Sequence, residues 1–418
     1  MSRELNKTGS PRPIRIAYLV THPIQHQAPL LRRIAKEPGI ELHVFFRSNI
    51  SVDDYFDQEF GGRIKWDVPL LEGYDHDFLP AFGPTNRLTR WRPFNHGLFS
   101  RLKRGKFDIL WVNGYSTWFY MLALIQARFL GIRTMLRGDV TMISRPRSKS
   151  NLLAKKIFHW ALDFLVDRYL TIGKLNRAYY LAHGVKEEKL WTVGYTVDND
   201  YFQSLCAAAS KNREAFRESL ALEPNRSIVL YAGKLTKNKR GDELLTAHAR
   251  IRSENRLENP PYLVIVGSGR LEPELRRRVT EENIPDVHLL GFKNQSELPA
   301  FFDICDVFVL CAQQEAWGLI VNEVMNAGKP VIISTDVGCG PDLVRSGENG
   351  FILPVGEVDA LARSLTTILG NPELAKRMGA ASLEIINAWN FEQNVEGLLD
   401  ACGSLGFTPT PSKQQAQQ

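Results

Sequence analysis

Short apolar runs rich in β-branched residues alternate with longer stretches of helical periodicity along most of this chain, and no other feature constrains the fold as much. A strand that is apolar throughout must be covered on both faces. A helix between two such strands returns the chain so that the second lies parallel to the first. In the first half the predicted strands are IRIAYLV (14–20), ELHVFF (41–46), DILWV (108–112), RTMLR (133–137) and RYLTI (168–172), with helices at 28–37, 116–130 and 151–165. A second series follows: SIVLYAG (227–233), YLVIVG (262–267), VHLLG (287–291), VFVLC (307–311) and PVIIS (330–334). Helices are predicted between and after these at 241–253, 272–282, 296–302, 318–327 and 357–369.

A chain of 418 residues is long for one core, and a charged, helix-prone stretch near 202–222 separates the two series. The economical reading is two Rossmann-like, doubly wound parallel-sheet domains, 14–198 and 199–385, facing each other across a cleft. Residues 1–13 and 404–418 (ending TPTPSKQQAQQ) read as disordered tails.

Composition narrows the class. Charged residues make up 23% and the net charge is +6, a mild basic excess that favours anionic ligands without naming one. Five cysteines are scattered without a C-x-x-C pair, so neither a disulfide framework nor a zinc site is expected. No apolar stretch of about 18 residues is present to span a membrane, and MSRELNKTGSPRP has no signal-peptide core. A cytoplasmic protein is expected, at most on the cytoplasmic face of a membrane. Two basic, aromatic-bearing segments bear on that last point. One carries Arg87, Arg90, Trp91, Arg92, Arg101, Lys103, Arg104 and Lys106; the other carries Arg145, Arg147, Lys149, Lys155, Lys156, Phe158 and Trp160. Solvated charge is the plain reading of both, contact with an anionic membrane the next, and nucleic acid is not expected as a partner.

In doubly wound sheets ligands bind beyond the carboxyl ends of the strands, where loops and helix N-termini converge. The polar and glycine-rich oddities of this chain fall there. Strand 14–20 leads to His22, strand 133–137 to Asp139, and strand 227–233 ends in Gly233 and Lys234, with Lys239 in the same basic loop. Gly267 and Gly269 follow strand 262–267, and Gly291 and Phe292 follow strand 287–291. The sharpest segment is Glu315-Ala-Trp-Gly-Leu-Ile-Val-Asn-Glu323. Gly318 opens a helical pattern there, so backbone N–H groups near Trp317, Gly318, Leu319 and Ile320 are placed to receive a diphosphate. Carboxylates bracketing such a site suit hydroxyls rather than phosphate. Lys234 and Lys239 would stabilise charge on a departing diphosphate. His22 and Asp139 are the polar candidates of the first domain. No Ser/His/Asp order, zinc spacing or P-loop is present.

The segment QEAWGLIVNEVMNAGKPVIISTDVGCGPDLV, the GKLTKNK loop and LVIVGSGRLEPEL together resemble glycosyltransferase family 4. The resemblance runs from residue 226 to about 370 and is looser before that. It implies the GT-B fold and a retaining transfer from a nucleotide sugar to a glycan or lipid-linked acceptor in polysaccharide or glycolipid synthesis. No metal or other cofactor is expected. It also implies that Glu323 holds the ribose hydroxyls, Glu315 the donor sugar, and Lys234, Lys239 and the amides of Gly318 and Leu319 the diphosphate. The base would be met by backbone near Gly291 and Phe292. The last helix, 386–402, would return to the first domain. Two departures stand out: Lys234 where many relatives have Arg, and THPIQHQAP where they have a Gly-Gly loop. A GT-B epimerase or phosphorylase, or a non-catalytic scaffold subunit, are the competing readings.

Overall fold

A computed structural model of the chain describes residues 12–57, 59–86, 88–144 and 149–407. In chain order the first half forms β1 (Ile14–Val20), β2 (Ile40–Phe46), a hairpin of β3 (Tyr55–Asp57) and β4 (Gly62–Ile64), and β5 (Asp75–Phe78). A short antiparallel pair, β6 (Ala81–Phe82) and β7 (Phe94–Asn95), precedes β8 (Ile109–Asn113), β9 (Arg133–Arg137), β10 (Arg168–Thr171) and β11 (Leu190–Thr192). Seven of these strands make one sheet in the order β11-β10-β9-β8-β1-β2-β5. The second half supplies β12 (Ile228–Ala232), β13 (Tyr262–Val266), β14 (Val287–Leu289), β15 (Val307–Leu310), β16 (Val331–Ser334) and β17 (Gly350–Leu353), ordered β14-β13-β12-β15-β16-β17. All neighbours within both large sheets are parallel.

The apolar strands show why. Along β1, Ile16, Tyr18 and Val20 enter one buried cluster, while Ala17 and Leu19 enter the cluster on the opposite face. β8 does the same, with Ile109 and Trp111 on one side and Leu110 and Val112 on the other. Both faces therefore need helices, and alternating burial fixes the register, since a slip of one residue would exchange the two sets. The predicted strands of both series are present to within a residue or two. β3, β4, β5, β6, β7, β11 and β17 are additional, being short or polar.

The carboxyl-terminal region differs from the single helix expected over 386–402. A helix Pro372–Ala388 packs on the second domain, the chain breaks at Trp389 and Asn390, and a helix Phe391–Gly403 follows. Asn390 caps the latter by accepting from the Gln393 N–H at 2.9 Å. Val395, Leu398, Ala401 and Cys402 of this last helix belong to the core under the first sheet, with Leu31 and Ile34 of the helix Ala28–Ala35. Residues 404–407 of the expected tail are part of the fold: the Arg168 guanidinium donates to the Oγ and the carbonyl of Ser404, both at 2.7 Å, and Phe407 packs on the same core. At the other end Arg12 pairs with Asp108, while 1–11 and 408–418 lie outside the described residues. The helix-prone stretch 202–222 forms two helices, Asn199–Ser210 and Arg213–Ser219.

Two strands of chain cross between the domains side by side. Asn394 donates to the Gly194 carbonyl at 3.0 Å and to Thr196 Oγ1 at 2.7 Å, and Trp389 Nε1 donates to the Tyr195 carbonyl at 2.8 Å. The last helix is thus part of the first domain's core. Leu398→Ala is expected to cost about 2–5 kcal/mol in chemical denaturation. Hydrogen exchange should show the loss as faster opening of β1 and the helix Ala28–Ala35, with β12 and β13 little changed.

Candidate active site

The carboxyl edges of the two sheets face each other across a cavity of about 430 Å³. From the second domain it is lined by Gly233, Lys234, Lys239, Gly267, Phe292 and the run from Glu315 to Ile320 with Glu323; from the first domain come Gln25, His26, Phe60, Trp66 and Asp139. Strand ends that approach this closely need glycine. A Cβ on Gly267 would lie 1.9 Å from the Gly233 carbonyl oxygen, and the Gly267 N–H donates to the Gly291 carbonyl at 2.7 Å. Gly291 is not among the residues that line the cavity, but it is hydrogen-bonded to Gly267 and precedes Phe292, which both line it.

The helix Leu319–Met325 begins at Gly318, whose φ of +94° is left-handed, and no side chain caps it. Its first turn opens on the cavity, with Gly318, Leu319 and Ile320 in the lining. Glu323, one turn further on, is buried, and its Oε2 has no hydrogen-bond partner. Burial pushes its carboxyl up to about 8, so the ligand-free side chain is protonated at neutral pH. Glu315 is tied down in a different way. Its N–H donates to the Asp336 carbonyl at 3.0 Å, and Lys239 Nζ is ion-paired with its carboxylate. Trp317 borders the cavity, but its buried ring packs face to face with Trp389 at 5.7 Å, and its N–H donates to Asn322 at 2.9 Å. The indole is a wedge between domains, leaving the backbone of this stretch to face the cavity.

Lys234 reaches the cavity in the grip of the first domain. Its ammonium donates to Glu59 at 2.6 Å and Asp57 at 3.3 Å and lies 4.8 Å above the Phe60 ring. Burial alone would lower its pKa, but the bond to Glu59 and the charges of Asp57 and Glu59 outweigh that and hold it above the ordinary lysine range. These residues belong to the β3–β4 hairpin, which crosses the cleft. Ser268 Oγ donates to the Phe60 carbonyl at 3.1 Å, Asn294 donates to the Lys65 carbonyl at 2.8 Å, and Phe60 meets Phe292 edge-on at 5.1 Å. Sequence reasoning missed this bridge because three-residue polar strands leave no periodic signal.

In the first domain Asp139 is exposed and faces the cavity, but His22 does not line it. The correction is geometric: the turn in which Gln27 N–H donates to the Ile24 carbonyl carries the chain onward, and His26 and Gln25 arrive in the wall instead. His22 stays beside Thr21, 2.9 Å from its hydroxyl, with its pKa lowered by burial to about 4. His26 packs edge-on against Tyr195 at 5.4 Å, its Nε2 has no partner, and burial and the nearby Arg137 lower its pKa to about 3. It is a neutral imidazole. The two histidines are four residues apart in one loop, and only the turn decides which one faces the cleft.

Comparison with known proteins fits this geometry. The profile describing glycosyl transferases group 1 matches residues 212–384. A D-inositol 3-phosphate glycosyltransferase of Streptomyces bingchenggensis is 32% identical over 179 residues, 41% of this chain and 39% of that protein. The protein of the same name from Streptomyces scabiei is 34% identical over 340 residues, 76% of this chain and 71% of its own length. Among solved structures, Anabaena HepE in complex with UDP superposes with a TM-score of 0.70 at 14% identity, covering 94% of this chain and all (100%) of that one, which shows a shared fold. Since the S. scabiei relative matches across both domains and the profile covers the segment from Lys234 to Glu323, the chain belongs to glycosyltransferase family 4, with the GT-B architecture.

Proposed function

We propose that this protein moves a sugar from a nucleotide-sugar donor to a glycan or lipid-linked acceptor, with retention at the anomeric carbon, in polysaccharide or glycolipid synthesis. The observation that carries the proposal is the division of labour around the start of the helix Leu319–Met325. Uncapped amides open on the cavity, two lysines stand near them, and carboxylates stand on either side. The amides and the two ammonium groups would take the diphosphate. The buried, unpartnered Glu323 carboxyl would accept from the ribose hydroxyls, and Glu315, oriented by Lys239, from hydroxyls of the donor sugar. Phe292 marks the end of the cavity suited to the base.

In the proposed reaction the bond from the anomeric carbon to the phosphate oxygen breaks, and the acceptor oxygen attacks on the same face. The leaving phosphate oxygen takes the acceptor proton. The negative charge that grows on the diphosphate is met by Lys234, Lys239 and the helix start, so the reading calls for neither a protein nucleophile nor a metal. Asp139 and His26, on the opposite wall, face the side from which an acceptor would enter.

Three outcomes follow. A thermal-shift screen against nucleotide sugars should raise the unfolding temperature with at least one donor, by mass action; no shift with any of them would overturn the proposal. Against that donor, Glu315→Gln should lower kcat by about 100-fold or more while nucleoside diphosphate affinity changes little. Glu323 adds a pH signature. If the ribose diol binds the ionised carboxylate, binding lowers the Glu323 pKa from about 8, so affinity must rise with pH up to that value and then level off. Calorimetry with the nucleoside diphosphate should show this rise in wild type, beyond that from phosphate ionisation alone, and Glu323→Gln should lose the excess.

A further inference from the structure

The large apolar side chains that stand exposed among the described residues are confined to the first domain, between Phe56 and Leu181. Most of them belong to one layer. The helices Leu98–Gly105, Trp118–Phe129, Lys149–Asp163 and Lys174–Ala182 all contribute inward side chains to the buried cluster on one face of the first sheet. Their outward side chains are where the exposed apolar residues lie. On Lys149–Asp163 and just beyond it, Leu153, Ile157, Trp160 and Phe164 follow a spacing of four, three and four residues, which lines them up on one side of a helix. They are 62%, 58%, 66% and 63% exposed. Phe129, at the end of the neighbouring helix, is 82% exposed. The helices on the opposite face of the sheet, Ala28–Ala35 and Phe391–Gly403, carry no exposed large apolar residue among those described.

The charge on the same layer is almost all of one sign. The four helices contain Arg101, Lys103, Arg104, Arg128, Lys155 and Lys156 among their basic residues, and a single acidic one, Asp163. Asp163 is already paired with Lys189 at 2.8 Å. A second copy of this face would oppose positive charge to positive charge. A surface that is apolar at its crest, aromatic, flanked by lysine and almost free of carboxylate fits an anionic lipid interface on both counts.

We propose that this helical layer docks the protein on an anionic lipid bilayer, with Leu153, Ile157, Trp160 and Phe164 entering the interface and the exposed Lys156 meeting the headgroups. Trp160 and Phe164 pack edge-on at 4.9 Å, giving one aromatic anchor rather than two independent rings. Arg87, Arg145 and Arg147 lie outside the described residues. It goes beyond the sugar-transfer reading and does not depend on the donor site. It adds that the domain bearing Asp139 and His26 is the one held at the lipid surface.

Co-sedimentation of the full-length protein with vesicles tests it. Vesicles of equimolar phosphatidylglycerol and phosphatidylcholine should bind wild type, and pure phosphatidylcholine should bind it at least about tenfold more weakly. The double variant Ile157→Glu, Trp160→Glu should lose about tenfold or more of the binding to the mixed vesicles. Lys156→Glu should weaken it as well and make what remains less sensitive to salt. Ile157, Trp160 and Lys156 are solvent-facing, so unfolding temperatures should stay close to wild type and separate lost docking from lost folding. The proposal is overturned if wild type does not sediment with the mixed vesicles, if it binds both vesicle types equally, or if the variants bind as wild type does. It is also overturned if wild type is a dimer in sedimentation velocity without vesicles and the Ile157→Glu, Trp160→Glu protein is a monomer, since a second copy would then cover the face.

Discussion

Every neighbouring pair of strands in the two large sheets is parallel, and the rest of the molecule depends on that constraint. A parallel sheet sends all its strand ends to one edge, and each crossover there must turn a strand into a helix whose first N–H groups lack partners. Two such edges face each other here. The glycines at Gly233 and Gly267 let neighbouring strand ends come close enough to form a wall, since a methyl group at Gly267 would collide with backbone. Side chains that need the edge, from Lys234 to Asp139, converge without being near one another in sequence.

The charged groups of the cleft are matched to one another. Lys239 is paired with Glu315, Lys234 with Asp57 and Glu59, and Glu323 keeps its proton because nothing polar reaches its Oε2. The hairpin carboxylates matter most in this respect. They satisfy a cation belonging to the other domain, so the charge pairing on Lys234 also draws the two halves of the cleft together.

The sequence was most informative where physics is periodic. Strands β1, β8, β12, β13 and β15 are buried on both faces and read as unbroken apolar runs, and the helix start at Gly318 was legible from glycine and the apolar pattern behind it. What was hidden has no period. β3 and β4 are three residues each and stabilised by contacts to Ser268, Asn294 and Phe292 more than 200 residues away. The choice between His22 and His26 rests on one turn, and the orientation of the Trp317 ring rests on Trp389, seventy-two positions along the numbering. The break at Trp389 has a local signal, Asn390 capping a new helix with Gln393 three residues on, but the crossing to the first domain that it serves has none.

That crossing has a consequence for how the chain is made. The first domain reaches solvent first during synthesis, yet one face of its sheet is covered by Val395, Leu398 and Ala401, which are translated almost four hundred residues after Ile14. The second domain has its sheet strands complete by Leu353. The earlier-made half must therefore wait with apolar surface on β1 and β8 uncovered until the last helix arrives, and the later-made half can close before it. For this architecture the order of translation and the order of completion are reversed, and the nascent first domain is where a chaperone would find exposed hydrophobic sheet.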